Sequence, residues 1–145
     1  MGRERISDLL SSLGQLDHVI AAIDKDLRQQ CDLTLEEYRL LLLVESEPLV
    51  QKVLACDMGR TCAAVSRWAT ILSRLGLVTQ QSEKSARECE VSITRRGRNR
   101  LKQARARLSE QCSTLGGELT GSDRDLLERV EGNLRRFASL GSRPS

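Results

Sequence analysis

Aromatic residues are almost missing: Tyr38, Trp68 and Phe137 are the three rings in 145 residues. So few rings leave the chemistry of any small ligand unspecified. Histidine occurs once, at His18, which excludes a His-based catalytic pair or a multi-His metal site within one protomer. Long apolar runs are missing too. The longest aliphatic stretch, Leu40 to Val44, is far too short to span a bilayer. The start, Met1-Gly2-Arg3-Glu4-Arg5, leads into an amphipathic stretch and not an apolar signal core. Ile at position 6 breaks the myristoylation pattern. The expectation is a soluble, cytoplasmic chain with no membrane partner.

The five cysteines (Cys31, Cys56, Cys62, Cys89, Cys112) are an odd set with no CxxC pair. In such a chain they read as thiols, not as a disulfide framework. The gap from Cys56 to Cys62 is not a usual zinc spacing. No metal, no cofactor and no nucleophile–base pair is expected, so the chain does not read as an enzyme.

What is present is a lopsided charge. Lys plus Arg number 23 and Asp plus Glu 20, a net +3, too mild by itself to imply a partner. Yet the span from Arg60 to Arg107 holds twelve basic and three acidic residues, a balance of +9, and the rest of the chain carries −6. A basic run is commonly a solvated helix face. It becomes a polyanion-binding surface when the fold gathers it on one side.

The periodicity gives the order of elements. Ile6, Leu9, Leu10, Leu13, Leu16, Ile20, Ile23 and Leu27 recur at steps of three and four, one face of a long helix. Thr34 and Glu37 form a capping box for a second helix through Tyr38, Leu41, Leu42 and Val44. Pro48 ends that helix and suits the first turn of a third, which carries Val50, Val53, Leu54 and Met58 and stops at a Gly59 turn. Thr61 caps a fourth helix with the stripe Val65, Ala69, Leu72 and Leu75, closed by Gly76.

The period then changes to two. Residues 77–81 and 90–94 alternate like strands around a polar loop. Thr94 caps a fifth helix with Leu101, Ala104, Leu108, Cys112 and Leu115, broken at Gly116-Gly117. A last helix carries Leu126, Leu127, Val130, Leu134, Phe137 and Leu140.

This predicts a mainly α fold with a small β-hairpin wing: a winged helix-turn-helix between long N- and C-terminal helices. It reads as one domain over 1–145. The winged part is 32–100, dimerisation helices occupy 1–31 and 101–140, and the tail 141–145 is loose. The terminal apolar stripes are too wide for so small a centre, which predicts a two-fold homodimer.

Four fragments in register resemble the MarR family of bacterial transcription regulators. Leu54-Ala55 with Met58-Gly59 resembles the helix before recognition, and Val65-Ser66-Arg67 the start of the recognition helix. Leu72 with Leu75-Gly76-Leu77-Val78 resembles its exit. Arg87 with Val91-Ser92-Ile93-Thr94 and Gly97 resembles the wing. The resemblance covers residues 34 to 100, and the flanks by helix order. It implies a homodimeric regulator of transcription, a repressor or activator of bacterial promoters, that responds to a small-molecule effector or to oxidants. Two positions depart: Ser85 stands where the family commonly has an Asp that fixes the wing, and Arg60 where it keeps an apolar turn residue.

If the fourth helix enters a major groove of a palindromic double-stranded operator, its outer face carries the reading residues. Removing its core stripe leaves Cys62, Ala63, Ala64, Ser66, Arg67, Thr70 and Arg74. Arg67 is the candidate for a forked contact to guanine or phosphate, Ser66 and Thr70 for base or backbone, and Ala63 and Ala64 for thymine methyls or close approach. Trp68 reads as core. Arg60, Lys84 and Ser85 are candidates at the backbone, and Arg87 for a narrow minor groove. Arg95, Arg96, Arg98 and Arg100 divide between flanking the DNA and pairing within the protein. Cys62, at a helix N-terminus between Arg60 and Arg67, and Cys89, beside Arg87, are the redox candidates. Cys56 reads as partly buried. Alternatives to a ligand-relieved repressor are a cysteine-based oxidant sensor on the same scaffold, or a protein-interaction dimer that lost tight DNA binding.

Overall fold

The computed structural model describes residues 2–82 and 88–116, together with Asp125, Glu128, Arg129, Gly132, Arg135 and Arg136. The chain divides into two compact units, Met1–Ser109 and Glu110–Ser145. In the first, α1 (Gly2–Cys31) is followed by α2 (Leu35–Leu43), β1 (Leu49–Val50), α3 (Gln51–Met58), α4 (Cys62–Arg74), β2 (Val78–Gln81) and β3 (Glu90–Ile93). The helix α5 (Arg95–Gly116) starts in the first unit and ends in the second. The other described positions of the second unit are helical. Most of the expected last helix and the whole tail 141–145 lie outside the described residues. No helix among the described residues is long and apolar enough to cross a membrane.

The starts of α2 and α4 have a side-chain cause. The Thr34 hydroxyl accepts from the Glu37 amide at 3.1 Å, and the Glu37 carboxylate accepts from the Thr34 amide at 3.0 Å, so two otherwise orphaned donors are satisfied at once. Thr61 caps α4 by accepting from the Ala64 amide at 3.2 Å. Gly59 and Gly76, with φ of 63° and 73°, take left-handed conformations where α3 and α4 end.

The third segment differs from its sequence reading. Leu49-Val50 is a strand, antiparallel to β3 with Leu49 opposite Val91 and Val50 opposite Glu90, so α3 starts at Gln51 and the sheet order is β1-β3-β2. The Gln51 amide donates to the Cys89 carbonyl at 3.0 Å, which extends the pairing into the helix start. Two residues are too short to show a period, and Pro48 suits a strand entrance as well as a helix start. Val53, expected on the core stripe, is exposed.

The core gathers Leu27, Leu33, Leu40, Leu41, Leu54, Val65, Leu72, Leu77, Val78, Val91 and Leu101 from every element but β1, all essentially without solvent contact. A polar knot closes it behind α4. The Thr94 hydroxyl donates to the Gly76 carbonyl at 2.7 Å and accepts from the Gly97 amide at 3.0 Å, while the Thr94 amide donates to the Leu77 carbonyl at 3.0 Å. Gly97 lies so close beneath that a Cβ there would fall 2.1 Å from the Leu77 oxygen and 2.8 Å from Ile93 Cγ1.

Gly97→Ala is therefore expected to destabilise the protein by about 1–3 kcal/mol, because a backbone oxygen cannot yield as a side chain does. Gly14→Ala, where a Cβ meets nothing within 4 Å, is expected to stabilise by about 0.5–1 kcal/mol through helix propensity. Denaturant midpoints of the two variants, compared at constant slope, check both signs.

Candidate nucleic-acid interface

The helix α4 is two-faced. Val65, Ala69 and Leu72 are buried. At about 100° per residue, Ala63, Arg67 and Arg74 fall opposite them, and all three are exposed. Ser66 and Thr70 lie half-buried on one flank, and Ala64 on the other. The outer-face candidates thus share one surface. Arg67 makes no hydrogen bond or ion pair with another described residue, so its planar fork is available to a ligand. Thr70 is partly engaged: its hydroxyl donates to the Ser66 carbonyl at 2.8 Å. Trp68 is half-buried against the core, as expected.

The flanking charges are arranged differently from one another. Arg60 donates to Glu36 at 3.1 Å, a carboxylate that also holds Arg39 at 3.4 Å, so its charge is shared with α2 before any phosphate arrives. Part of the basic run on α5 is tied within the protein. Arg98 donates to the Glu45 carbonyl at 2.9 Å and Arg100 to the Cys31 carbonyl at 2.8 Å. Arg105 grips the Glu45 carboxylate with both terminal nitrogens, and Arg107 holds Asp26 through two bonds of 2.9 Å. Of the basic run, Arg67 and Arg74 on α4 and Arg95, Arg96 and Lys102 on α5 are the exposed cations without such a tie among the described residues. Lys84, Ser85 and Arg87 lie in segment 83–87, outside the described residues.

The cysteines separate clearly. Cys89 is buried, and burial pushes its thiol up, which opposes the thiolate an oxidant needs. Burial likewise raises Cys31. Cys62, the first residue of α4, is half-buried. Cys56 is exposed, not partly buried, because α3 turns Leu54, Ala55 and Met58 to the core instead.

One exposed residue escaped the sequence reading. Ile71 is 42% exposed on the α4 flank nearest α1 and α2. It belongs neither to the core stripe nor to the outer face, so periodicity alone gives it no role. A second apolar exposure was foreseen in kind: Leu10, Leu13, Leu16, Val19 and Ile20 form an open stripe on α1, whereas Leu27 of the same stripe is buried.

No protein-family model matches the sequence, and no curated protein is similar enough to be a relative. Solved structures do match. The transcriptional regulator BldR from Sulfolobus solfataricus superposes with a TM-score of 0.81 at 22% identity, over 94% of this chain and 99% of its own. A MarR-family transcriptional regulator from Streptomyces coelicolor gives 0.76 at 18% identity, over 93% and 96%. CouR from Rhodococcus jostii RHA1, solved bound to p-coumaroyl-CoA, gives 0.70 at 23% identity, over 92% and 91%. At these identities the likeness is one of fold: the chain has the winged helix-turn-helix fold of MarR-family regulators.

The inward ion pairs have a pH signature. Hydrogen bonding to Arg107 holds the Asp26 carboxyl below its usual range, and hydrogen bonding to Arg105, with the nearby Arg98 charge, does the same for Glu45. A carboxyl lowered in the folded state contributes stability above its unfolded pKa, and that contribution is lost as pH falls through the folded value. Denaturant midpoints are expected to fall from about pH 5 to about pH 3. The double variant Asp26→Asn/Glu45→Gln should show a flatter profile over that window.

Proposed function

We propose that the chain is a homodimeric, sequence-specific regulator of transcription that binds palindromic double-stranded DNA. It acts in the cytoplasm as a repressor relieved by a small-molecule effector, and it is a binding protein, not an enzyme. The observation that carries this reading is the outer face of α4: Arg67 and Arg74 stand exposed, without a partner among the described residues, on the same face as the small Ala63 and opposite a fully buried stripe. A helix presented this way can lie deep in a major groove, with Arg67 forked onto guanine or phosphate and Ala63 allowing close approach. The half-engaged Thr70 and the sparse outer face leave much of the affinity to phosphate contacts and DNA shape. Arg60, Lys84, Ser85 and Arg87 would add to those contacts from the turn before α4 and from the wing.

Dimerisation follows from the open stripe on α1. Leu10 and Leu16 are 62% and 55% exposed, an apolar surface that a second copy can cover in a two-fold arrangement. Two α4 helices would then meet half-sites roughly one helical turn apart. Any effector that alters their separation would weaken binding. The likeness to CouR, which was solved with a bound small molecule, supports the effector step.

A cysteine-based input is the second reading, and Cys62 favours it: a half-buried thiol on the first turn of α4, where an oxidised sulfur would stand at the DNA face. Peroxide-sensitive, thiol-reversible loss of binding that Cys62→Ser abolishes would establish it.

On fragments selected from genomic DNA, Arg67→Ala and Arg87→Ala are each expected to lower affinity at least tenfold, with the dimer intact. Where the lost contact is to phosphate, the log–log salt slope should fall by about one. Parent-like binding by both variants would overturn the interface. The double variant Leu13→Asp/Ile20→Asp should sediment as a monomer while its far-ultraviolet dichroism stays helical; a dimer in that variant removes α1 from the contact.

A further inference from the structure

A cleft of about 350 Å³ opens between the end of α1, the first turn of α2 and the last two turns of α4. That volume is at the small end of the range for ligand sites. Its apolar wall is Leu33, Ile71 and Leu75, and its charged lining is Arg28, Asp32 and Glu37.

The three charges are not equivalent. The Arg28 guanidinium is already matched by Asp24 at 2.7 Å. Glu37 is 95% buried, since its exposure is 5%, and it brings a carboxylate in from the α2 side while one oxygen holds the Thr34 amide. Asp32 is exposed and makes no hydrogen bond or ion pair with another described residue. Its left-handed backbone, φ 51°, sets it at the turn between α1 and α2. The lining therefore presents two carboxylates and an already matched cation beside an aliphatic wall whose Ile71 is partly open to solvent.

We propose that this cleft binds a small organic cation with an apolar body, the ammonium facing Asp32 and Glu37 and the body lying on Ile71 and Leu75. An organic anion would meet the carboxylates of Asp32, which has no partner among the described residues, and of Glu37, which is engaged by the Thr34 amide. A neutral apolar molecule would leave the ionic side of the cleft unmatched. Because Ile71 and Leu75 belong to α4 and the acidic groups to the turn before α2 and to α2 itself, the occupant bridges the reading helix to its support. Its effect on DNA binding rests on the function proposed above; its binding does not.

The sole tryptophan gives a direct readout. Trp68 is half-buried on the same flank of α4, one turn before Ile71 and two before Leu75. The full chain without DNA is titrated with benzyltrimethylammonium, benzyl alcohol and phenylacetate, following Trp68 emission and the melting temperature. Only the cation should saturate the emission change and raise the melting temperature.

Asp32→Asn tolerates the same left-handed backbone and should weaken the cation about two- to fivefold, the range expected for one exposed charge. Ile71→Ser should weaken it by a similar factor through lost apolar contact. Arg67→Ala should leave it unchanged. Phenylacetate binding as tightly as the cation, no saturable change with any probe, or cation binding indifferent to both cleft variants overturns the proposal. A chain that ignores DNA yet titrates with the cation overturns the function reading alone, and the converse outcome overturns the cleft alone.

Discussion

The junction between α4 and the hairpin is tied by one hydroxyl. Thr94 reaches the Gly76 carbonyl and the Gly97 amide with the same oxygen, and its own amide reaches the Leu77 carbonyl. These bonds tie the exit of α4, the entrance of β2, the end of β3 and the first turn of α5 into one unit. They add a polar tie to the core packing of Leu72, Leu77 and Val91 and to the bond from the Leu77 amide to the Leu72 carbonyl. Together these fix the outer face of α4 relative to the hairpin. Gly76 permits the left-handed exit and Gly97 the close approach beneath Leu77. The spacing of Gly76, Thr94 and Gly97 in the chain is thus the linear trace of a single packed contact. Substitutions there should alter the aim of α4 before they alter its helicity.

The basic segment looks uniform in sequence, and the fold divides it by function. Arg98, Arg100, Arg105 and Arg107 of α5 face the end of α1, the end of α2 and the turn after it, where Glu45, Asp26 and two backbone carbonyls receive them. Exposed pairs of this kind contribute modestly to stability one by one, but four along one helix fix its register. Arg67 and Arg74 face outward with no such partner among the described residues. A polyanion would therefore meet the outward cations of α4 and the untied Arg95, Arg96 and Lys102 of α5, and not the whole basic run. Glu36 sets Arg60 apart from them, because it shares the Arg60 charge with α2.

Local signals carried most of the winged part. The capping box of Thr34 and Glu37, the Thr61 cap and the glycine exits are interactions within a few residues of sequence, and each stands where its pattern predicts. The α4 outer face was legible because helical geometry converts burial at 65, 69 and 72 into exposure at 63, 67 and 74. Long-range partners were not legible. The strand Leu49-Val50 exists through its pairing with β3 and has no period of its own. The inward turn of the α5 arginines depends on residues as many as 81 positions away. Cys56 and Val53 were misplaced because the inward face of α3 includes the polar Gln51 and the small Ala55, which an apolar pattern does not mark. The wing-tip candidates Lys84, Ser85 and Arg87 lie outside the described residues, so the tip of the wing stands on sequence alone.

The first helix shows how one periodic pattern can serve two purposes. Its apolar residues continue from Leu10 to Leu27 at the same spacing, yet Leu27 is wholly buried in the core while Leu10 to Ile20 stay open. Intramolecular packing thus uses only the C-terminal end of the stripe. The same end leads into Asp32 and Leu33, which border the cleft against Ile71 and Leu75. A second copy covering the open stripe would hold α1 firmly, and α1 would then hold the turn that faces the flank of α4. Any group lodged between that turn and α4 would push against a braced element, and the reading helix would be the part left to move. Coupling of this sort needs no relay through the core. It requires only that the dimer contact be stiffer than the packing of α4 against α2.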